Sequence, residues 1–186
     1  MNHSLVAERY AMALLELSIE KGLEDAVYQD NLRIARICKS SRDLSLFLKS
    51  PIIGSDKKKN IIREIFGNQV HPITLAYLLI MVRKKRESFI PFIAKKLIDF
   101  YKNYKNILTV QFKSPVLPDT VIKKQVVDLM AKYTKKEIDL SPETDESLIG
   151  GFVLSWEDKQ YDASIRREID NLHRAIARVN LYKKRL

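Results

Sequence analysis

The sequence predicts a mainly α protein: a six-helix bundle over residues 1–106, then a small α/β (α+β) domain over residues 107–186. Two observations carry that expectation. Up to Asn106, apolar residues recur at the three- and four-residue spacing of buried helix faces. After it, in ILTVQFK, Leu108, Val110 and Phe112 alternate with Thr109, Gln111 and Lys113, which is strand spacing. Pro115 and Pro118 break the chain just beyond, so the boundary is expected near residues 103–118.

The helices follow in order. Leu5, Ala13, Leu14 and Leu17 mark the first, and Gly22 ends it. The second runs from Leu23 to Lys39, with Val27, Leu32, Ile34, Ala35 and Cys38 on its apolar side. Asp43 to Leu48 makes a short third, closed by Ser50-Pro51. Ser55 or Asp56 can cap the fourth, which buries Ile61, Ile62, Ile65 and Phe66 and stops at Gly67. Pro72 opens a fifth, His71 to Lys85, and a sixth spans Glu87 to Asn106. The fifth contains ITLAYLLIMV, which is apolar on every side. Such a helix is either surrounded by others or presents a groove that another chain fills. Ala7, Ala11 and Ala13 give the first helix a surface that a neighbour can approach closely. A docking groove between the first and fifth helices is the resulting expectation.

The second half reads β-α-β-β-β-α. Asp119 or Thr120 starts a helix carrying Ile122, Val126, Leu129, Met130 and Tyr133. Ile138 and Leu140 alternate with Glu137 and Asp139 in a strand. Gly150-Gly151 leads into a further strand, Glu157 to Lys159 turns, and Gln160 to Ala163 returns. Asp162 or Ser164 can cap a last helix whose stripe is Ile165, Ile169, Leu172, Ile176 and Val179.

Composition excludes much. The net charge is +10, carried mostly by residues 1–106, with 19 basic and 11 acidic residues. Residues 137–162 hold eight acids and one base. The positive excess lies in Lys57-Lys58-Lys59, Arg83 to Arg86 and Lys183 to Arg185, which reads as solvated helix ends or as a nucleic-acid surface. The longest apolar run, Ile73 to Val82, is half of what a bilayer demands, so membrane association is expected only through partners. A single cysteine, Cys38, in a helical pattern reads as a buried thiol in a reducing compartment.

The Gly-Gly segment has the outline of a phosphate loop without its chemistry. Phe152 and Val153 follow where a lysine and a hydroxyl would be needed. His3, His71 and His173 are scattered, without zinc spacing. Asp139, Glu143, Asp145 and Glu146 do not match a calcium loop. No catalytic residue, cofactor, metal or small-molecule substrate is expected.

AERYAMALLELSIEKGLEDAV, DLSLFLKSPIIGSDKKKNII and LIGGFVLSWEDKQYDASIRREIDNL, in this order, resemble the δ subunit of bacterial F-type ATP synthases, the family of the mitochondrial oligomycin-sensitivity-conferring protein. The resemblance covers nearly the whole chain. Its most specific part is a Gly-Gly strand, a turn and DxS before a basic helix, that is Gly150, Gly151, Asp162 and Ser164. It implies a non-catalytic stator subunit at the cytoplasmic face of the bacterial inner membrane. The first domain is then expected to bind N-terminal segments of the α subunits, and the second the C-terminal region of the stalk's b subunit. The groove is placed on Tyr10, Leu14 and Leu17 of the first helix and Ala76, Leu79 and Ile80 of the fifth. Leu79→Glu is expected to abolish docking and leave the fold intact. The rival reading is an all-α RNA-binding factor with an appended α+β module, which the acidic stretch at 137–162 weakens.

Overall fold

The computed structural model describes residues 3–183, a mainly helical chain with one four-stranded sheet in its C-terminal part. It divides into two units, residues 1–105 and 106–186.

The first unit holds α1 (His3–Glu20), α2 (Glu24–Ser40), α3 (Arg42–Lys49), α4 (Ser55–Phe66), α5 (Pro72–Arg83), a 3₁₀ turn (Glu87–Phe89) and α6 (Ile90–Tyr104). The expected continuous sixth helix is broken because Pro91 has no N–H to give the Glu87 carbonyl. The chain therefore tightens into 3₁₀ geometry before α6 begins. Helix α6 is the central element: it packs against both α1 and α2 through Ile90, Ile93, Ala94 and Leu97. Helix α5, apolar all round in sequence, buries only Thr74, Leu78, Met81 and Val82 and leaves Ala76 and Ile80 exposed. It ends on Lys85 at φ +56, with Arg86 N–H donating to the Met81 carbonyl at 2.9 Å. Part of the basic run Arg83 to Arg86 is thus a helix stop in left-handed geometry.

Three polar joints hold these helices. The Asp30 carboxylate, buried on α2, accepts from the His71 N–H at 2.8 Å and the Thr74 hydroxyl at 2.7 Å, fastening the start of α5 to α2, while the His71 ring nitrogen caps α5 by accepting from the Ile73 N–H at 3.3 Å. Tyr101 stacks on Tyr28 with ring centroids 4.0 Å apart and donates to Asp25 at 2.6 Å. Lys105 closes the same joint on Glu24 and Asp25, both at 3.2 Å. The third joint is Lys58, only 2% exposed. Its ammonium donates to the Ser50 carbonyl at 2.7 Å and the Leu48 carbonyl at 3.4 Å, and pairs with Glu87 at 2.5 Å. It therefore satisfies carbonyls at the C-terminus of α3 and ties that end to the 3₁₀ turn. The expected cap of α4 by Ser55 or Asp56 is not made. Gly54 stands at the N-cap without a side-chain bond, and Asp56 pairs with Lys59 at 3.0 Å.

The second unit contains β1 (Ile107–Ser114), α7 (Thr120–Thr134), β2 (Glu137–Thr144), β3 (Gly151–Trp156), β4 (Lys159–Ser164) and α8 (Ile165–Lys183). The sheet order is β2-β1-β3-β4. Strands β1 and β2 are parallel, Ile107 opposite Glu137, which requires a crossover, and α7 supplies it. Strand β3 runs antiparallel to both neighbours. Leu108, Val110, Phe112 and Leu154 share a core with Val126 and Met130 of α7.

Candidate docking surfaces

No group of three His, Cys, Asp or Glu side chains gathers as a metal site among the described residues, and no described helix is long and apolar enough to cross a membrane. The surfaces with functional promise are apolar.

On the first unit the structure separates the six expected groove residues. Leu14 is 2% exposed and belongs to the core, so it cannot contact a partner. The reason is that α6 packs along α1 and covers its face. Tyr10 and Leu79 are half-buried against the same core. Leu17 at 39%, Ile80 at 43% and Ala76 are open to solvent. Helices α1 and α5 both touch the 3₁₀ turn, and their side chains Tyr10, Leu14, Leu78 and Leu79 enter one apolar cluster. Arg86 donates to the Tyr10 hydroxyl at 3.0 Å, and its guanidinium lies 5.3 Å from the ring centroid. The Tyr77 hydroxyl is buried without a hydrogen-bond partner, and burial, then the neighbouring Tyr10, push its pKa up.

Sequence reasoning missed Arg86 and Lys58. For Lys58 a signal existed: it lies four and eight residues before Ile62 and Phe66, on the buried face of α4. The basic clusters are accordingly weaker as an electrostatic surface than their composition implies. Lys58 is internal, Lys59 pairs with Asp56, and Arg86 is held by Tyr10.

On the second unit, each motif residue has a definite task. Gly151 stands at φ +78, and a Cβ there would lie 2.2 Å from the Ala163 carbonyl oxygen, so glycine alone fits. Gly150 accepts from the Ile165 N–H at 3.1 Å, and the Ile165 side chain fills the space a Cβ would take. Ser164 caps α8 by accepting from the Arg167 N–H at 3.2 Å. Asp162 does not cap it. Its carboxylate accepts from the Ser164 N–H at 2.9 Å, and hydrogen bonding from the Ser164 side chain, then from that N–H, holds its pKa below the usual carboxylate value. The motif is a root for α8, with no phosphate cradle in it.

A sequence model of the ATP synthase delta (OSCP) subunit matches residues 6–176. The chain belongs to that family. The delta subunit of Chlorobaculum parvum is 32% identical over 172 residues, covering 92% of this chain and 95% of the relative. That of Salinibacter ruber is 31% identical over 188 residues, spanning 100% and 98%. That of Amoebophilus asiaticus is 33% identical, spanning 90% and 91%. The fold matches a chain of the Toxoplasma gondii mitochondrial ATP synthase hexamer with a TM-score of 0.72 at 19% identity, over 92% of this chain and 97% of that one. As a delta (OSCP) subunit the protein is a non-catalytic structural component of the F-type ATP synthase and partners with other subunits of that assembly. Nothing in these relationships favours RNA binding.

Proposed function

We propose that the delta (OSCP) subunit described here is the stator link of its ATP synthase, at the cytoplasmic face of the bacterial inner membrane and attached to it only through the complex. In this reading residues 1–105 form a helical bundle that binds N-terminal helices of the α subunits. Residues 106–186, the small α+β unit, bind the C-terminal region of the b subunit. The observation that supports the head contact is the incomplete burial of α5, which leaves Ala76 and Ile80 in solvent although its sequence is apolar on all sides. A stator contact must dissociate slowly, and an amphipathic helix laid on such a surface provides that. Ile80 and Leu17 keep 43% and 39% of their surface in water, so burying that remainder would contribute about 1 kcal/mol each, before the cost of ordering the peptide.

The test is titration of the full chain with an N-terminal peptide of the α subunit from the same organism, at low and high salt. Tight binding that persists at high salt, and is lost in Ile80→Glu and Leu17→Glu with helicity unchanged, is the expected result. Leu79→Glu is a poorer probe than the sequence implies: Leu79 packs on the core, so this change lowers stability together with affinity. Absence of binding by the unmodified chain would end the head-docking reading.

A further inference from the structure

Beside the buried Lys58–Glu87 pair the first unit has a cavity of about 500 Å³, within the size range of small-ligand sites. The end of α3, the loop from Ser50 to Gly54, the start of α4 and the turn after α5 enclose it. Its ionisable lining is Lys49, Lys58, Lys85 and Glu87. Lys58 and Glu87 neutralise each other at 2.5 Å. Lys49 and Lys85 stand exposed at the rim, and neither has an ion-pair partner among the described residues. The cavity therefore keeps an uncompensated positive charge. Lys85 is held at φ +56, where glycine is the usual helix stop, so the chain carries backbone strain in a residue that borders this space. Gly54 and Ser55 bring in the start of α4, which has no side-chain acceptor for the N–H groups of its first turn. This is the chemistry of an oxyanion site.

The Glu87 carboxylate selects among oxyanions. Its Oε1 pairs with Lys58, whereas its Oε2 is buried and has no hydrogen-bond partner. A buried acceptor left in that state costs stability until a donor reaches it. Sulfate is fully ionised, brings no donor and is repelled by the carboxylate. Phosphate near neutral pH keeps a P–OH, which can donate to Oε2 while its other oxygens accept from the lysines. The hydroxyls of Ser55 and Ser88, also in the lining, can donate or accept as the bound anion requires.

We propose that this cavity binds a phosphate group that retains a P–OH, either inorganic phosphate or the terminal group of a small phosphomonoester. Lys49 and Lys85 hold its charge, and Glu87 distinguishes it from sulfate. The site is independent of the stator reading, because it uses none of the apolar docking residues.

The test is calorimetric titration of the full chain at about pH 6.5, where phosphate keeps that proton. The titrants are inorganic phosphate, sulfate at matched ionic strength, and ribose 5-phosphate. Saturable phosphate binding at least about 100-fold tighter than sulfate is the expected result. Tighter binding of ribose 5-phosphate identifies a monoester as the source, tighter binding of phosphate identifies the free anion, and both support the site. Lys85→Gly relieves the strain at positive φ, so its melting temperature should hold or rise while phosphate affinity falls about tenfold. Glu87→Gln supplies an amide donor to a fully ionised oxygen, so sulfate should come within about tenfold of phosphate, with circular dichroism confirming that the variant is folded. Equal affinity for phosphate and sulfate in the unmodified chain overturns the proposal, since plain charge attraction then suffices. Absence of saturable phosphate binding overturns it as well. So does phosphate affinity that is unchanged in Lys85→Gly.

Discussion

Replacing Lys58 by Met keeps the apolar stem and removes the charge, leaving the Glu87 carboxylate and the Leu48 and Ser50 carbonyls without their donor. Breaking a buried pair from one side costs about 3–5 kcal/mol. The Glu87 side chain retains 13% exposure, which lets water reach part of the orphaned charge and favours the lower end. A loss of about 3 kcal/mol in a unit of this size corresponds to a fall in melting temperature of about 12–15 °C. Two probes separate the units of the unmodified full chain. The sole tryptophan, Trp156, lies in the second unit, whereas six of the eight α-helices among the described residues lie in the first. Helical circular dichroism should melt earlier while the Trp156 fluorescence transition stays in place. Lys58→Met/Glu87→Leu should regain at least about 1 kcal/mol, because removing both partners leaves no uncompensated charge. A shift below about 4 °C in the single variant would refute the internal role of Lys58 and return the lysine to the surface.

Gly151→Ala forces a Cβ onto the Ala163 carbonyl at positive φ and should destabilise the second unit by about 2 kcal/mol or more, read from Trp156. Gly150→Ala meets only the far end of the Ile165 side chain, which can rotate, and should cost less than about 1 kcal/mol. Burial pushes the Cys38 thiol up to about 11, so Ellman's reagent at pH 8 should leave it unmodified until the first unit opens. The Lys58→Met variant should react faster. The hydrogen bond from Tyr101, then that from Lys105, holds Asp25 below the ordinary carboxylate range. A depressed folded pKa means that the stabilisation is present above the unfolded value and vanishes as pH falls through the folded one. The melting-temperature gap between the unmodified chain and Asp25→Asn should therefore be constant near neutrality and close below about pH 4.

Much of the fold was legible in the sequence. The switch from helical to alternating spacing near Asn106 marks where helices give way to the sheet, because buried faces repeat every 3.6 residues in one and every two in the other. Proline and glycine placed several ends correctly, Pro72 opening α5 and Gly22 following α1. Pro91 carries the same kind of signal: its missing N–H makes the sixth helix start at Ile90, later than apolar spacing alone predicts. The site was less legible. Leu14 and Leu17 are both leucines on one helix, and only the packing of α6 decides that the first is core and the second is exposed.

The sequence by itself determined the family, the order of elements and the absence of nucleotide-binding and zinc-site motifs, since those depend on local residue types at fixed spacing. The tertiary structure decided what each charged and apolar side chain is for. Lys57, Lys58 and Lys59 are equal in composition, yet the middle one is a buried clamp on the end of α3, because helical rotation aims it inward beside Ile62 and Phe66. The stripe on α8 is equal in pattern to a core-facing stripe, yet Leu172 and Ile176 stand largely in water, because the main packing partner of α8 is β4, the strand it directly follows. Periodicity fixes which residues share a face. Only the arrangement of the other elements fixes whether that face is covered.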